Sequence, residues 1–399
     1  MWQHEIPLTG FSLPPVWQLK ELIMQYRTMP KSKDRLSALG FGLMRLPQTK
    51  SGKIDEDKAL AMLHFALDNG VNYFDTAWGY HGGASEPLLG EFVTQTDRSK
   101  LFIATKLPCW LVKTRADMDS YLNQQLERLK TDHIDYYLLH ALNARSWKEM
   151  LHLGVLDWLD NPRADGRIRH IGFSFHDEYS VFKQIVERYD WDFCQFMLNF
   201  LDTQYQAGMK GYKLASAKGL GIIAMEPLRG GKLVDHVPDS VQAVWAKSKN
   251  DWSPVQRALN WVWNLESLSV LLSGMSNMDQ LKENISLANA FKTGQIDEKE
   301  MKLFNKARLE YLHRIAIPCS ECRYCLPCPH GVSIPSVFGY YNESMMFGEK
   351  ERHQKEYRNW TPTETRASKC VGCGECLSKC PQHIPIPDWM KTIADYFGD

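Results

Sequence analysis

From about residue 38 to 290 the chain alternates short runs that are apolar on both sides with longer segments whose apolar residues recur at helical spacing. The runs are LGFGLM (39–44), YFD (73–75), LFIATK (101–106), DYYLLH (135–140), HIGFSF (170–175), FCQFMLN (193–199), GIIAME (221–226) and SVLLSG (269–274). A strand that is apolar on both faces belongs in a parallel sheet covered by helices. The first intervening segment, IDEDKALAMLHFALDNG, shows the helical pattern most clearly. Ala59, Met62, Leu63, Ala66 and Leu67 share one face, Asp55 is placed to cap the start, and Gly70 to close the end. Eight such strands, each followed by a helix, predict an α/β protein built as an eight-stranded (β/α)8 TIM barrel of roughly 250 residues. An open doubly wound sheet would need a glycine-rich turn after an early strand. GFGLMRLP (40–47) lacks the third glycine and the helix that should follow.

The flanks depart from this rhythm. Residues 25–38 read as a strand–turn–strand hairpin at the barrel bottom, and residues 253–265, with Trp261 and Trp263, as an outer helix docked on the barrel. A further helix is expected over 298–315, after which cysteine, proline and glycine become dense. The expected domains are a barrel over 24–312 and a small, mainly helical one over 313–399. Residues 1–23 form an extension ahead of the barrel or an over-called start.

Composition narrows the class. An apolar fraction of 44% with 13 tryptophans supplies a large core, and 47 basic against 47 acidic residues give zero formal charge. That balance offers no pull toward nucleic acid or a membrane surface. No run of about eighteen apolar residues exists, and the amino terminus lacks a basic flank followed by an apolar stretch. A cytoplasmic location is therefore expected. In that reducing compartment, clustered cysteines hold metal more readily than disulfides.

Chemistry in a barrel of this kind collects at the strand ends. The second, third and fourth runs end on Asp75, Lys106 and His140, and Tyr80 follows Asp75 by five residues in the loop TAWGYHGGASEPLLG. Each alone could be a turn residue, a solvated lysine or a core histidine. Together they converge on one mouth. Cys194, inside a strand, reads as a small core residue, and Cys109, just past the third strand near the mouth, has no evident activating partner.

NYFDTAWGYHGGASEPLLG, IATK and DYYLLH resemble, in order and spacing, the signature segments of the aldo-keto reductase superfamily, over essentially residues 24 to 290. The resemblance implies reduction of a small aldehyde or ketone by hydride from NAD(P)H. Tyr80 would be the general acid, and Lys106 would lower the pKa of its phenol from the usual value of about 10. Asp75 would hold Lys106, and His140 would orient the carbonyl oxygen and donate to it. The same resemblance places Ser174 and Gln195 at the nicotinamide amide. It brings the EPLRGGKL loop (226–233) to the pyrophosphate, with Leu228, Gly230 and Gly231. Ser276, Glu283 and Asn284 follow after the last strand. The lysine and arginine that typical members aim at a 2′-phosphate fall here on Gly274 and Gln280, which implies weak NADPH discrimination or even a preference for NADH.

The remaining eight of the ten cysteines form two combs. Cys370, Cys373, Cys376 and Cys380 stand in CVGCGECLSKCP, and Cys319, Cys322, Cys325 and Cys328 in CSECRYCLPCP. The first of these spacings is that of bacterial 4Fe-4S ferredoxins. Structural zinc prefers two separated pairs, so a third evenly spaced cysteine and a Cys-Pro are surplus to it. Likeness to a two-cluster ferredoxin implies interleaved ligands: Cys319, Cys322, Cys325 and Cys380 for one cluster, and Cys370, Cys373, Cys376 and Cys328 for the other. The last gap of the earlier comb is one residue short, which leaves two clusters or one, according to whether Cys328 ligates. The segment between the combs has the charge and aromatic content of helices, so a helical module is expected rather than a β-hairpin one.

A hydride carries two electrons and a cubane cluster passes one, and no flavin fingerprint links them. The clusters therefore exchange electrons with an external carrier, stabilise the fold or sense redox state. Subfamilies joining an aldo-keto reductase barrel to a ferredoxin-like tail exist, and the chain resembles them. The alternative function is an electron-transfer protein that keeps the barrel as a binding scaffold.

Overall fold

The computed structural model describes residues 24–399; the extension read over 1–23 lies outside the described residues. A short antiparallel hairpin, β1 (Tyr26–Thr28) and β2 (Arg35–Ser37), precedes the barrel. Eight parallel strands follow: β3 (Leu39–Gly42), β4 (Tyr73–Asp75), β5 (Phe102–Leu107), β6 (Ile134–Leu142), β7 (Ile168–Phe175), β8 (Phe193–Met197), β9 (Gly221–Met225) and β10 (Leu268–Gly274). They pair in sequence order and β10 closes on β3, so the expected barrel forms.

Local chemistry sets the helices as the sequence implied. Helix α1 (Glu56–Asp68) starts where the Asp55 carboxylate accepts from the Lys58 N–H at 3.3 Å, and buries Ala59, Met62, Leu63 and Ala66. Gly70 follows in the left-handed region at φ +87°, where a Cβ would sit 2.7 Å from Met24 of the chain entering the hairpin. Helices α2 (Ser85–Thr94), α3 (Arg115–Arg128), α4 (Ala144–His152), α5 (Val155–Ala164), α6 (Tyr179–Arg188) and α7 (Gly208–Ala217) continue around the barrel. Then come α8 (Asp239–Trp245), α9 (Pro254–Trp263), α10 (Met278–Ala290) and α11 (Glu298–His313). Helix α9 is the expected tryptophan-bearing outer helix, and every residue from Arg257 to Trp263 is buried.

Strand ends move by one or two residues from the sequence runs, and β5 continues one residue past Lys106 to Leu107. The fourth barrel strand does not end at His140 but runs on to Leu142, with a register irregularity between Leu139 and Leu142 and Ala141 at φ +53°. His140 thus sits on a bulge, a device that re-aims a side chain beside a barrel rim.

The tail is helical, with α12 (Ile334–Phe347), α13 (Lys350–Trp360) and α14 (Ile386–Phe397) around a small core of Ile334, Phe338, Tyr357, Ile386, Met390 and Phe397. It does not hang free. Met346 and Phe347 at the end of α12 join the barrel's own core, where Phe347 meets Tyr311 of α11 at 5.6 Å between ring centroids. No helix among the described residues is long and apolar enough to cross a membrane.

Candidate active site and cysteine clusters

Strands β4 and β5 pair with Asp75 opposite Ala104, which leaves the side chains of Asp75 and Lys106 to meet at the mouth. The Lys106 ammonium donates to Asp75 Oδ1 at 2.6 Å and to the Thr76 carbonyl at 2.7 Å, with both side chains buried. Burial works against the Lys106 charge, but Asp75 and Tyr80 outweigh it and raise its pKa, so the lysine stays an ammonium. The other Asp75 oxygen has no hydrogen-bond partner.

A second polar layer fixes this pair from behind. Buried Glu86 accepts from Thr105 Oγ1 and from Gln125 Nε2, each at 2.7 Å, and Gln125 also donates to the Lys106 carbonyl at 3.0 Å. Arg128 closes on Glu86 at 3.1 Å while its guanidinium lies 3.4 Å from the ring centroid of Trp78. Nothing in the spacing of the strand ends pointed to this layer.

Tyr80 opens a 3-10 turn (Tyr80–Gly83) that bends through left-handed His81 and Gly82. Its ring lies over the Lys106 ammonium at 5.1 Å and meets the His140 ring edge-on at 6.0 Å. Trp110, half exposed, closes on the other side of His140 at 5.0 Å. The four residues named from the strand ends are therefore neighbours in space.

The electrostatics differ from the sequence expectation at one point. Burial raises the Tyr80 pKa above the ordinary 10.0, and the opposing pull of Lys106 does not cancel it. Lys106 tempers the phenol rather than making it acidic. His140 is driven well below 6.5 by burial, then by Lys106 and His176, and its Nδ1 is buried without a partner. It is a neutral imidazole.

The positions expected to hold a cofactor fall on β7, β8 and the loops after β9 and β10. Ser174 and Gln195 are buried neighbours in the β7–β8 register. Ser174 Oγ accepts from the Ala141 N–H at 2.7 Å, and the Gln195 amide oxygen is buried with no partner. An orphaned acceptor of that kind suits the amide group of a nicotinamide. The 226–233 loop is left-handed at Glu226, Arg229, Gly230 and Gly231, two of them non-glycine, a conformation kept only where the surroundings impose it. Together with Leu228, Ser276, Glu283 and Asn284 the two glycines line a cavity of about 240 Å³. Asn284 is partly committed, donating to Ser273 Oγ at 3.1 Å, and Gln280 accepts from the Ser276 N–H at 2.8 Å.

The tail grips this loop. Arg229 donates to Glu343 at 3.1 Å, and Lys232 donates to Glu343 at 2.6 Å and to Glu356 at 2.7 Å. Arg352 donates to the Gly230 carbonyl at 2.6 Å and to Asp235 at 2.9 Å. Glu343, His353 and Glu356 lie close enough to hold a metal ion, but the Lys232 ammonium already bridges the two glutamates.

The eight comb cysteines gather in two groups. One small cavity is lined by Cys319, Cys322, Cys325 and Cys380. The other is lined by Cys328, Cys370, Cys373 and Cys376, and Cys325 lines both. Both are walled by Ile334 and Ile386. Burial and then the neighbouring thiols push Cys325 up to about 11, so its sulfur becomes a thiolate only beside a cation such as cluster iron. A cleft of about 1,070 Å³ separates the earlier comb from the barrel rim, with Cys319 and Cys322 on one wall and His176 and Tyr205 on the other.

The aldo/keto reductase family model matches residues 38–308, and the 4Fe-4S dicluster domain model matches residues 318–384. L-galactose dehydrogenase of Arabidopsis thaliana is 25% identical over 304 residues, spanning 70% of this chain and 92% of that protein. The uncharacterized oxidoreductase YqkF of Bacillus subtilis is 24% identical over 322 residues, 73% of this chain and all of the relative. An aldo-keto reductase from Bacillus halodurans in its holo form superposes with a TM-score of 0.61 at 22% identity, over 71% of this chain and 96% of that one. One from Klebsiella pneumoniae in complex with NADPH gives 0.57 at 19%, over 72% and 96%. With the closed barrel and the family match over most of its length, this chain belongs to the aldo/keto reductase family and carries a 4Fe-4S dicluster domain behind its barrel.

Proposed function

We propose that the chain reduces a small aldehyde or ketone at the barrel mouth, with NAD(P)H as the reductant. The observation that carries this is the buried Asp75–Lys106 ion pair set beneath the Tyr80 ring, with neutral His140 at the ring's edge. Bound there, the nicotinamide would supply hydride to the carbonyl carbon. The Gln195 amide oxygen and the Ser174 hydroxyl would hold its carboxamide, and the 226–233 loop with Ser276, Glu283 and Asn284 the rest of the dinucleotide.

The protein's own residues handle the proton. Tyr80 keeps its hydroxyl proton through neutral pH and gives it up only as negative charge develops on the carbonyl oxygen. Lys106 stabilises the resulting phenolate by charge, and Asp75 keeps that ammonium in place. His140, uncharged, donates a hydrogen bond to the same oxygen without competing as an acid. Trp110, half exposed against His140, would stand beside a bound carbonyl substrate.

In the tail, Cys319, Cys322, Cys325 and Cys380 would hold one 4Fe-4S cluster and Cys328, Cys370, Cys373 and Cys376 a second. Exposed Cys322 and Cys373 bring one edge of each group to solvent, which suits exchange with an external electron carrier. The test is anaerobic oxidation of NADPH and NADH against a panel of aldehydes and ketones. Turnover with any of them that Tyr80→Phe removes supports the reductase. No turnover, with rapid cluster reduction by a ferredoxin, leaves the barrel as a scaffold for electron transfer.

A further inference from the structure

The cavity beside the 226–233 loop has a charge problem. Among the described residues lining it, Glu226, Asp235 and Glu283 are acids and Arg45 is the only base. The loop's own cations point elsewhere: Arg229 is held by Asp202 and Glu343, and Lys232 by Glu343 and Glu356. The positions where typical family members carry a lysine and an arginine hold Gly274 and Gln280. Without a further cation, the site meant for a dinucleotide's phosphates would repel them.

Arg45 is placed to repair this. It ends the short 3-10 turn Leu43–Arg45, directly after β3, and reaches sideways across the neighbouring strand β10. A Cβ on Gly274 would lie 3.2, 3.3 and 3.5 Å from Cβ, Cγ and Cδ of Arg45, so the arginine's stem occupies the space a side chain at 274 would take. At the far end, a Cβ on Gly230 would lie 3.2 Å from Arg45 Nη2 and 3.8 Å from Glu226 Oε2, which puts the guanidinium over Gly230. Among the described residues this guanidinium has no hydrogen bond and no ion pair, unlike Arg229 and Arg352 nearby.

We propose that Arg45 is the phosphate-binding cation of the cofactor site, supplied by the first strand's loop in place of the two cations missing after the last strand. The inference rests on the nicotinamide-dinucleotide reading of that site. The bare Gly274 suits this exchange, because a side chain there would crowd the arginine stem. A forked guanidinium is suited to paired phosphate oxygens.

The test is the dissociation constant of NADPH and of NADH for the cluster-loaded protein, measured by tryptophan fluorescence under anaerobic conditions. Arg45→Met should weaken NADPH at least about tenfold, the effect of one charged hydrogen bond, and Arg45→Lys should recover part of it. Weakening of both nucleotides assigns the contact to the pyrophosphate, and weakening of NADPH alone to the 2′-phosphate. Arg45→Gln, which keeps the stem over Gly274, serves the same comparison if the methionine variant melts early. Constants within twofold of the parent for both nucleotides overturn the role of Arg45. A parent protein that binds neither nucleotide overturns the cofactor reading itself, and this proposal with it.

Discussion

Lys232 Nζ lies 2.6 Å from Glu343 Oε2, so a cation of the barrel's 226–233 loop is neutralised by an acid of the cysteine-rich tail. Glu343 also takes Arg229, and the pull of both cations overrides burial to hold its carboxyl below the usual range. Glu343→Gln should leave two cations half paired. A loss of about 2 kcal/mol is expected, below the 3–5 of a fully buried pair because the carboxylate keeps some solvent. The check is a lowered melting temperature, together with severalfold weaker NADPH binding as the loop loosens.

Tyr80→Phe removes the proton donor but leaves the ring over Lys106. Carbonyl reduction should fall by about 10²–10⁴-fold, the usual worth of a positioned general acid. The dissociation constant for NADPH should stay within about twofold. Steady-state rates and fluorescence titration on the same preparation separate the two effects.

The pH profile follows from the direction of two shifts. Tyr80 is raised above 10.0, so its proton-donating form persists through neutral pH and the alkaline fall in rate should lie above the ordinary tyrosine range. Lys106→Met removes the charge that lowers this pKa. The alkaline limb should then move higher still while the maximal rate drops. His140 is depressed below 6.5 and stays neutral, so no inflection should appear near that value. For stability the sign is the reverse of a salt-bridged histidine: the unfolded chain binds protons that native His140 refuses. Stability should be complete above about pH 6.5 and decline as the pH falls below it.

The gap before Cys328 is one residue shorter than the matching gap before Cys380, yet Cys328 lines the same cavity as Cys370, Cys373 and Cys376. Cys328→Ser should lower iron from about eight to about four per chain while the other group stays loaded. Cys380→Ser should remove the opposite four. Iron and sulfide analysis of both variants, purified anaerobically, checks the pairing; equal depletion of both clusters by either substitution would count against it.

The barrel was legible because its signals are local. Each strand is an uninterrupted apolar run, and Asp55 and Gly70 bracket α1 within a few residues of the pattern they end. Asp75, Lys106 and Tyr80 were legible for the same reason, since strand ends in a barrel share one mouth. His140 was found although the strand continues past it, because the bulge that seats it depends on pairing with β7 and not on its own segment. Arg45 was passed over: its meaning comes from Gly274 and Gly230, residues far along the chain, and from the way distant acids engage Arg229 and Lys232. Glu86 and Gln125 were missed likewise, being a buried glutamate and glutamine that only a folded barrel brings behind Lys106.

Met346 and Phe347 belong to the barrel's core although they sit in the tail. Excising the tail to obtain a simpler reductase would therefore expose an apolar wound at Tyr311 and release the loop that Arg352 and Glu343 hold. Grafting a foreign ferredoxin module in its place would need the same two apolar side chains and the same charges at matching heights. The two halves are separable as sequence families but not as interchangeable parts.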